Sequence, residues 1–158
     1  VPLQRRGLEV TSLEVLPTAC EVLKRRGVRD VRRGDLEALD EAERFDTVLA
    51  MMNGLGLAGS LLGLERFLAA LGARLTRDGQ ILADSTDPHG WGDSGDGRYG
   101  GEVHMQLVHR GSPGQPFPYL FVDPETLQGV ATRAGLTCEV LVAEQDGRYL
   151  ARICLQGS

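Results

Sequence analysis

The sequence predicts an α/β domain with a mostly parallel sheet, helices on both faces and an antiparallel last strand. Short β-branched and apolar runs alternate with helical patterns through residues 8–84, which is typical of parallel strands joined by crossover helices. The run Phe45–Met52 is apolar on both faces, as a buried parallel strand is. Two further strand patterns flank the turn Gln145-Asp146-Gly147, which indicates a hairpin at the end of the chain.

The first part of the chain contains a βαβαβ alternation. Helices are expected at Pro17–Arg26, where proline suits the first helical turn, and at Leu61–Leu75. The strands are expected at Leu8–Leu13, Val28–Arg33, Phe45–Met52 and Gln80–Ala83. Because the connections suit right-handed crossovers, we expect these strands to be parallel within one sheet. Two separate sheets, or a parallel last strand, would overturn the family assignment to which the residues below point.

The second part begins with residues 86–101, a Gly/Asp-rich loop that we interpret as lid-like. An extra β-hairpin is expected near 102–122, and a helix is expected from Pro124 to about Ala134, with Asp123 as its N-cap. The last two strands are expected at Leu136–Ala143 and Tyr149–Leu155. No second domain is visible, so residues 1–158 are interpreted as one domain.

The composition argues against several classes of binding partner and of structural site. Among 158 residues the formal net charge is −5, and acidic and basic residues are interspersed, which argues against nucleic acid or an anionic membrane as the main partner. No apolar run approaches the roughly 18 residues of a membrane span. The three cysteines are scattered and predict neither a disulfide framework nor a zinc site. A cytoplasmic protein is the default interpretation.

Acidic residues follow three of the expected parallel strands, where open α/β sheets bind ligands. The carboxylate of Glu14 could accept both hydroxyl hydrogens of a ribose. Asp35 could accept a hydrogen bond from an adenine amino group, and Leu36 offers apolar contact to the base. The same acids could also be solvated strand ends, and an acid after a second strand equally suits an NAD-dependent oxidoreductase.

These residues carry a resemblance to a known family. The run LQRRGLEVTSLEVLPTACEVLKRRGVRDVRRGDLEAL, then FDTVLAMMNGLGL, then LERFLAALGARLTRDGQILADSTD, resembles class I S-adenosylmethionine-dependent methyltransferases, whose fold is Rossmann-like. The tail, with YGGEVHMQLVHRGSPGQPFPYLFVDPETL, AGLTCEVL and YLARICL, is similar to a bacterial subgroup of that family. The resemblance covers nearly the whole chain, and the order and spacing of the motifs carry it.

The resemblance implies an enzyme that transfers a methyl group from S-adenosylmethionine to an acceptor, such as a small molecule, that the sequence does not identify. It implies that Glu14 binds the ribose hydroxyls and Asp35 the adenine amino group, with Leu36 against the ring. It also implies that four residues line the methionine moiety and the methyl-transfer axis: Met51, Met52, Asn53 and Gly54.

The chain departs from the family pattern at its start. The family has a strand and a glycine-rich loop before the first helix, whereas this chain begins at Val1 without them, and Gly54-Leu55-Gly56 follows the wrong strand to replace them. We therefore expect an N-terminally truncated domain with impaired cofactor binding, completed by a missing N-terminal segment or by a homodimer. A non-catalytic, methyltransferase-like interaction module is the alternative.

No catalytic base is assigned, because positioning supplies most of the rate of methyl transfer. Polar residues that follow the Gln80–Ala83 strand, on the expected acceptor side, are Asp84, Asp87, His89 and Tyr99. The set His89, Asp93, Asp96 and His104 matches no metal-ligand template, so no metal site is predicted.

Overall fold

The computed structural model describes residues 1–91 and 98–157. Contacts divide the chain into two compact units, Val1–Glu43 and Arg44–Ser158. The first unit contains a two-stranded parallel sheet and the second a four-stranded mixed sheet with helices. The α/β class predicted from the sequence is therefore confirmed. None of the helices in the described ranges is both long and apolar enough to cross a membrane.

The first unit is built from four short elements and one 3-10 turn. Both helices begin at a proline, and the left-handed glycines Gly7 and Gly27 follow their ends, as glycine does at helix C-termini. The elements are α1 (Pro2–Arg5), β1 (Thr11–Glu14), α2 (Pro17–Arg25), β2 (Asp30–Arg33) and the turn Leu36–Ala38.

β1 and β2 are parallel, and Glu14 pairs in register with Arg33. Arg32 joins β2 to the segment after the 3-10 turn, because its guanidinium contacts Asp30 at 2.9 Å and Glu43 at 2.6 Å. The hydrogen bond from Arg32 is the main cause that holds the pKa of the Asp30 carboxyl below its usual range. The carboxyl ends of both strands therefore lie at one edge of a small, ion-paired unit.

The second unit contains the remaining elements and a 3-10 turn at Gly54–Ala58. They are β3 (Phe45–Ala50), α3 (Leu61–Gly72), β4 (Leu75–Thr86), β5 (Glu102–Met105), β6 (Val108–His109), β7 (Ser112–Pro113), β8 (Phe117–Leu120), α4 (Pro124–Arg133), β9 (Leu136–Ala143) and β10 (Arg148–Leu155).

The four-stranded sheet has the order β3-β4-β10-β9. β3 and β4 are parallel, and β10 is antiparallel to both of its neighbours, which confirms the antiparallel last strand. β5 pairs with β8, and β6 pairs with β7 between them, all antiparallel, so the extra hairpin near residues 102–122 is confirmed as well.

The sheet arrangement differs from the single sheet expected from the sequence. Among the described residues, β1 pairs only with β2, and β3 pairs with β4 but with no strand on its other side. β3 was expected to be buried on both faces, yet it is an edge strand in which Leu49 is 51% exposed. An apolar sequence pattern indicates that a strand is suited to burial. The strand is buried only when another strand pairs with each of its two sides.

β4 begins at Leu75, earlier than the Gln80 start expected from the sequence. The register with β3 shifts from Phe45↔Leu75 to Thr47↔Gln80, so a bulge takes up the extra residues. Gly79 lies in this bulge, where a Cβ atom would lie 2.9 Å from the carbonyl oxygen of Phe45. The Asp78-Gly79 pair therefore forms a strand irregularity rather than a helix end.

The core of the second unit lies between the two long helices and the sheet. α3 and α4 contact each other, and both contact the sheet. Their apolar faces are at helical spacing, and burial of each such side chain contributes about 1.5–3 kcal/mol. Fully buried residues of these layers are Leu64 and Leu68 of α3, Leu127 and Val130 of α4, and Ile81 and Ile153 of the sheet.

Asp123 fixes the start of α4. Its Oδ1 atom accepts a hydrogen bond from the backbone N–H of Thr126 at 2.9 Å, which is the N-cap expected from the sequence. Its other carboxylate oxygen accepts the hydroxyl hydrogen of Tyr99 at 2.5 Å, and the Asp123 backbone N–H donates to the same hydroxyl at 2.8 Å. Only 4% of Asp123 is exposed, so three hydrogen bonds hold a buried carboxylate group and its backbone in place.

Asp123→Ala should lower the free energy of unfolding by about 1–3 kcal/mol, because it removes the helix cap and leaves the Tyr99 hydroxyl without its acceptor. Urea unfolding of the purified chain measures this difference. Glu125→Ala is the matched control, since it removes a carboxylate from the same helical turn. An equal loss in both variants would show that charge, and not the cap, matters.

The contribution of the Asp123 carboxylate to stability should depend on pH. Burial opposes ionisation, but the hydrogen bonds from Thr126 and Tyr99 outweigh it and hold the pKa of Asp123 below its usual range. Because the folded-state pKa is lowered, the stabilisation is present above the unfolded pKa of about 3.9 and is lost as pH falls through the folded pKa. The stability difference between the unsubstituted chain and Asp123→Asn should therefore shrink below about pH 4.

Candidate functional site

Glu14 lies at the carboxyl end of β1 and is half-buried. Its Oε1 atom accepts a hydrogen bond from the backbone N–H of Leu16 at 2.8 Å, which orients the carboxylate at the start of α2. No hydrogen bond within the described residues uses the Oε2 atom of Glu14. One oxygen therefore fixes the side chain, and the other is available as an acceptor.

Asp35 and Leu36 follow β2 at the same edge of the sheet as Glu14. Gly34 turns the chain there with a φ of 140°, and its N–H donates to the carbonyl of Glu14 at 3.0 Å. A Cβ at Gly34 would lie 2.8 Å from the Cβ of Ala38, so this position requires glycine. Asp35 is exposed and caps the 3-10 turn, and Leu36 is half-buried. The structure thus brings together three of the predicted cofactor residues within the first unit.

The other predicted cofactor residues, Met51 to Gly54, follow β3 in the second unit. Met52 and Asn53 have φ values of 61° and 55°, so two successive residues with side chains adopt the left-handed region. Such a conformation costs of order 1–3 kcal/mol per residue unless the surroundings fix it. Met52 is 90% exposed and Met51 46% exposed, so this turn presents thioether side chains to solvent.

Asn53 is the residue that fixes this turn. Its backbone N–H donates to Asp84 Oδ1 at 3.1 Å, and its backbone carbonyl accepts from the Tyr119 hydroxyl at 2.9 Å. Its side-chain Nδ2 donates to the carbonyl of Leu120 at 3.0 Å, while its Oδ1 accepts from the Ser85 hydroxyl at 2.6 Å. Four hydrogen bonds therefore tie the turn after β3 to β4 and β8.

A buried polar chain continues from Ser85. The Ser85 hydroxyl, whose residue is 2% exposed, also accepts from the backbone N–H of Val122 at 3.2 Å. The carbonyl of Val122 in turn accepts from the Tyr149 hydroxyl at 2.6 Å. Burial raises the pKa of Tyr149 above its usual range, so its hydroxyl remains a donor at neutral pH. These hydrogen bonds link β4, β10 and the chain before α4.

Ser85, Tyr119 and Tyr149 also belong to the site, although the sequence alone did not point to them. A signal for Ser85 was present, because strand alternation places it on the same face as the buried Ile81 and Ala83. A hydroxyl on an otherwise apolar face indicates a buried hydrogen bond. Nothing in the local sequence marks Tyr119, whose partner lies far away along the chain.

A cavity of about 180 Å³ lies at the ends of the strands, beside the turn after β3. Both apolar and charged side chains line it. The lining residues are Met51, Asp84, Val142, Glu144, Arg148, Tyr149 and Leu150. Asp84 therefore lines the cavity and also accepts the hydrogen bond of Asn53.

Polar residues after β4 form local contacts. His89 Nδ1 and Asp87 Oδ1 lie 2.6 Å apart, and this hydrogen bond raises the pKa of the exposed His89. Trp91 packs edge-on against Phe121, with ring centroids 4.7 Å apart. Within residues 1–91 and 98–157 no group of three His, Cys, Asp or Glu side chains could hold a metal ion. Asp93 and Asp96, and with them much of the expected lid, lie outside the described residues.

The chain has a likeness to a solved structure that extends beyond the fold. A SAM-dependent methyltransferase from Bacteroides fragilis, solved in complex with S-adenosyl-L-homocysteine, is 34% identical to this chain with a TM-score of 0.84. The match covers 97% of this chain and 65% of the Bacteroides fragilis protein, so the chain spans just under two thirds of that relative. This likeness confirms the resemblance to methyltransferases, so the condition of a single sheet that was set from the sequence was wrong.

Two more distant structures share the fold. The CcbJ methyltransferase from Streptomyces caelestis is 14% identical with a TM-score of 0.71, and the match covers 98% of this chain and 77% of that one. The glycopeptide N-methyltransferase MtfA, solved with S-adenosyl-L-methionine, is 15% identical with a TM-score of 0.66, covering 99% and 76% of the two chains. Both support the Rossmann-like fold class. No protein-family model matches the chain, and no curated protein matches it.

Asn53→Ala should lower the free energy of unfolding by about 2–4 kcal/mol, since it removes two side-chain hydrogen bonds and leaves Ser85 and the Leu120 carbonyl unsatisfied. Asn53→Gly loses the same bonds but tolerates the left-handed backbone, so it should be less destabilising than Asn53→Ala. Urea unfolding of both variants measures the two effects separately. Identical losses would show that the positive φ is not strained.

Proposed function

We propose that this chain is the greater part of an enzyme that transfers a methyl group from S-adenosylmethionine to an acceptor molecule. The observation that carries the proposal is the 34% identity, over 97% of the chain, to a methyltransferase solved with the demethylated form of that cofactor. The arrangement of acidic residues at the ends of parallel strands supports it independently, because ligands of open α/β sheets bind there.

The residues of the first unit fit the nucleoside part of the cofactor. Glu14 is held by one oxygen and offers the other, which suits a ribose hydroxyl that must find its acceptor in place. Asp35 is exposed at the same edge and suits the adenine amino group, while Leu36 begins the adjoining turn and suits contact with the ring. Glu14, Asp35 and Leu36 would therefore bind and orient the nucleoside.

The residues of the second unit fit the methionine part of the cofactor, which carries the reactive methyl group. Met51 and Met52 present apolar, polarisable side chains to solvent, which suit the methionine moiety. Asn53 and Gly54 follow in a turn whose backbone is fixed by four hydrogen bonds, so the lining of the methyl-transfer axis would be preorganised.

The cofactor supplies a methyl group that its sulfonium already activates, so the chain need not supply a nucleophile. Its own residues would bind the two reactants in line and exclude water from between them. Met51 and Met52 are exposed and apolar, so they would exclude water from this site when the cofactor and the acceptor cover them. No catalytic base is required by this scheme.

We also propose that a strand from outside residues 1–158 completes the sheet at the open edge of β3. Within residues 1–91 and 98–157 no strand pairs with one side of β3, whose last three residues are apolar and include the exposed Leu49, and both features favour pairing with another strand. A segment of the same protein is the occupant that we favour, because the chain spans 65% of its Bacteroides fragilis relative. A second copy of this chain is the other possible occupant.

Glu14→Ala in the full-length protein should weaken binding of S-adenosylmethionine by about 1.5–3 kcal/mol, the value expected for losing charge-assisted hydrogen bonds. Isothermal titration calorimetry measures the difference. Glu9→Ala is the matched control, because Glu9 is an exposed carboxylate just before β1. Unchanged affinity in Glu14→Ala would remove this residue from the site, and tighter binding of NAD than of S-adenosylmethionine would favour an oxidoreductase.

Residues 1–158 alone should bind S-adenosylmethionine at least about a hundredfold more weakly than the full-length protein. A completing strand and its loop would add several hydrogen bonds at about 1 kcal/mol each. Parallel titrations of both proteins, with their masses measured by light scattering, test this. Micromolar binding by monomeric 1–158 would show that no further strand is needed, and a dimer with full affinity would identify a second copy as the occupant.

A further inference from the structure

The cavity beside Asp84 combines an apolar wall with an unusual charge arrangement. Met51, Val142, Tyr149 and Leu150 supply the apolar wall, and the charged lining residues are Asp84, Glu144 and Arg148. It lies where β3 and β4 end and β9 turns into β10, at the edge of the sheet that presents Met51.

The positive charge in this cavity is already paired. The guanidinium of Arg148 contacts Glu144 Oε2 at 2.6 Å through Nη2, and it contacts Asp146 Oδ2 at 2.8 Å through Nε. Glu144 and Asp146 belong to the turn between β9 and β10, and Arg148 is the first residue of β10. Two carboxylates thus face one guanidinium, and Arg148 has little capacity left for an anionic ligand.

Asp84 is arranged differently. Its Oδ1 atom accepts the backbone N–H of Asn53 at 3.1 Å, and no lysine or arginine in the described ranges forms an ion pair with it. Asp84 lies beside the apolar side chains of the cavity without a cationic partner there among the residues that the structure describes, so a cation placed against its carboxylate would form a charge-assisted hydrogen bond. The cavity therefore favours a ligand with an apolar body and a positively charged or hydrogen-donating end.

We propose that this cavity binds the methyl acceptor and that the acceptor is a small amine whose nitrogen lies against the Asp84 carboxylate. The inference rests on the proposed function, since it names the substrate class of that enzyme. Aliphatic contacts with Met51, Val142 and Leu150 bind the body of the acceptor. Asp84 binds and orients its nitrogen, with Asn53 holding Asp84 in turn.

The reaction balances with an amine and without an added oxidant or reductant. The ammonium form first loses a proton to solvent, which frees the nitrogen lone pair. This nitrogen forms a bond to the methyl carbon while the carbon–sulfur bond of S-adenosylmethionine breaks, and the bonding pair stays on sulfur. The methylated nitrogen then carries the positive charge, which the Asp84 carboxylate stabilises until the product leaves and its nitrogen equilibrates with solvent protons.

Binding of simple probes tests the proposal without catalysis. n-Butylamine, n-butanol and sodium butyrate have similar apolar bodies, and at about pH 7 they are cationic, neutral and anionic respectively. Calorimetry with the full-length protein should show that n-butylamine binds most tightly and butyrate least. Asp84→Asn keeps an acceptor for Asn53 but removes the charge, so it should weaken n-butylamine binding by about tenfold or more and leave n-butanol binding unchanged.

Two further variants define the charge effect. Arg148→Gln removes the one positive charge and frees Glu144, so it should strengthen n-butylamine binding, the opposite direction to Asp84→Asn. Glu139→Gln is the matched control, because Glu139 is an exposed carboxylate on β9 that pairs with Arg152 and does not line the cavity. It should leave the affinity for all three probes unchanged.

The outcomes separate this inference from the proposed function. If S-adenosylmethionine binds the unsubstituted protein but butyrate binds as well as n-butylamine, the amine proposal is overturned and the methyltransferase proposal stands. Unchanged n-butylamine affinity in a folded Asp84→Asn variant has the same consequence. Failure of the unsubstituted full-length protein to bind S-adenosylmethionine would overturn the proposed function itself, whatever the probes show.

Discussion

The left-handed turn at Met52 and Asn53 is the constraint on which the second unit depends. Two successive residues with side chains do not hold positive φ values by themselves, so the surrounding structure must fix them. The hydrogen bonds of Asn53 do this by joining the end of β3 to Ser85 of β4 and to Tyr119 and Leu120 of the β8 region. The same bonds place the β5–β8 hairpin against the turn, so the strained backbone and the docked hairpin stabilise each other.

The buried polar chain extends this constraint to the rest of the unit. Ser85 and Tyr149 satisfy the backbone of Val122, and Asp123 next to it caps α4 and accepts the Tyr99 hydroxyl. Each buried polar group here has a partner, and such networks specify one arrangement because a partly satisfied one is costly. The cavity wall formed by Tyr149 is therefore held by the same hydrogen bonds as the turn that presents Met51.

Both units use the carboxyl ends of parallel strands to present acidic groups. In the first unit, Glu14 and Asp35 follow the paired strands β1 and β2. In the second unit, Asp84 lies near the end of β4, which is parallel to β3. Positioning by strand ends suits a reaction that depends on orientation, because the backbone of a sheet moves less than a loop does. Methyl transfer is such a reaction.

The sequence by itself determined the local elements, the acids at the strand ends and the resemblance to methyltransferases, because helix caps, glycine turns and strand alternation are short-range signals. The Asp123 cap and the hairpin of β9 and β10 are examples. Only the tertiary structure decided that Asp78-Gly79 lies in a bulge and that Tyr119 binds Asn53. These features depend on residues far apart in the chain, and no local pattern encodes which strand finds which neighbour.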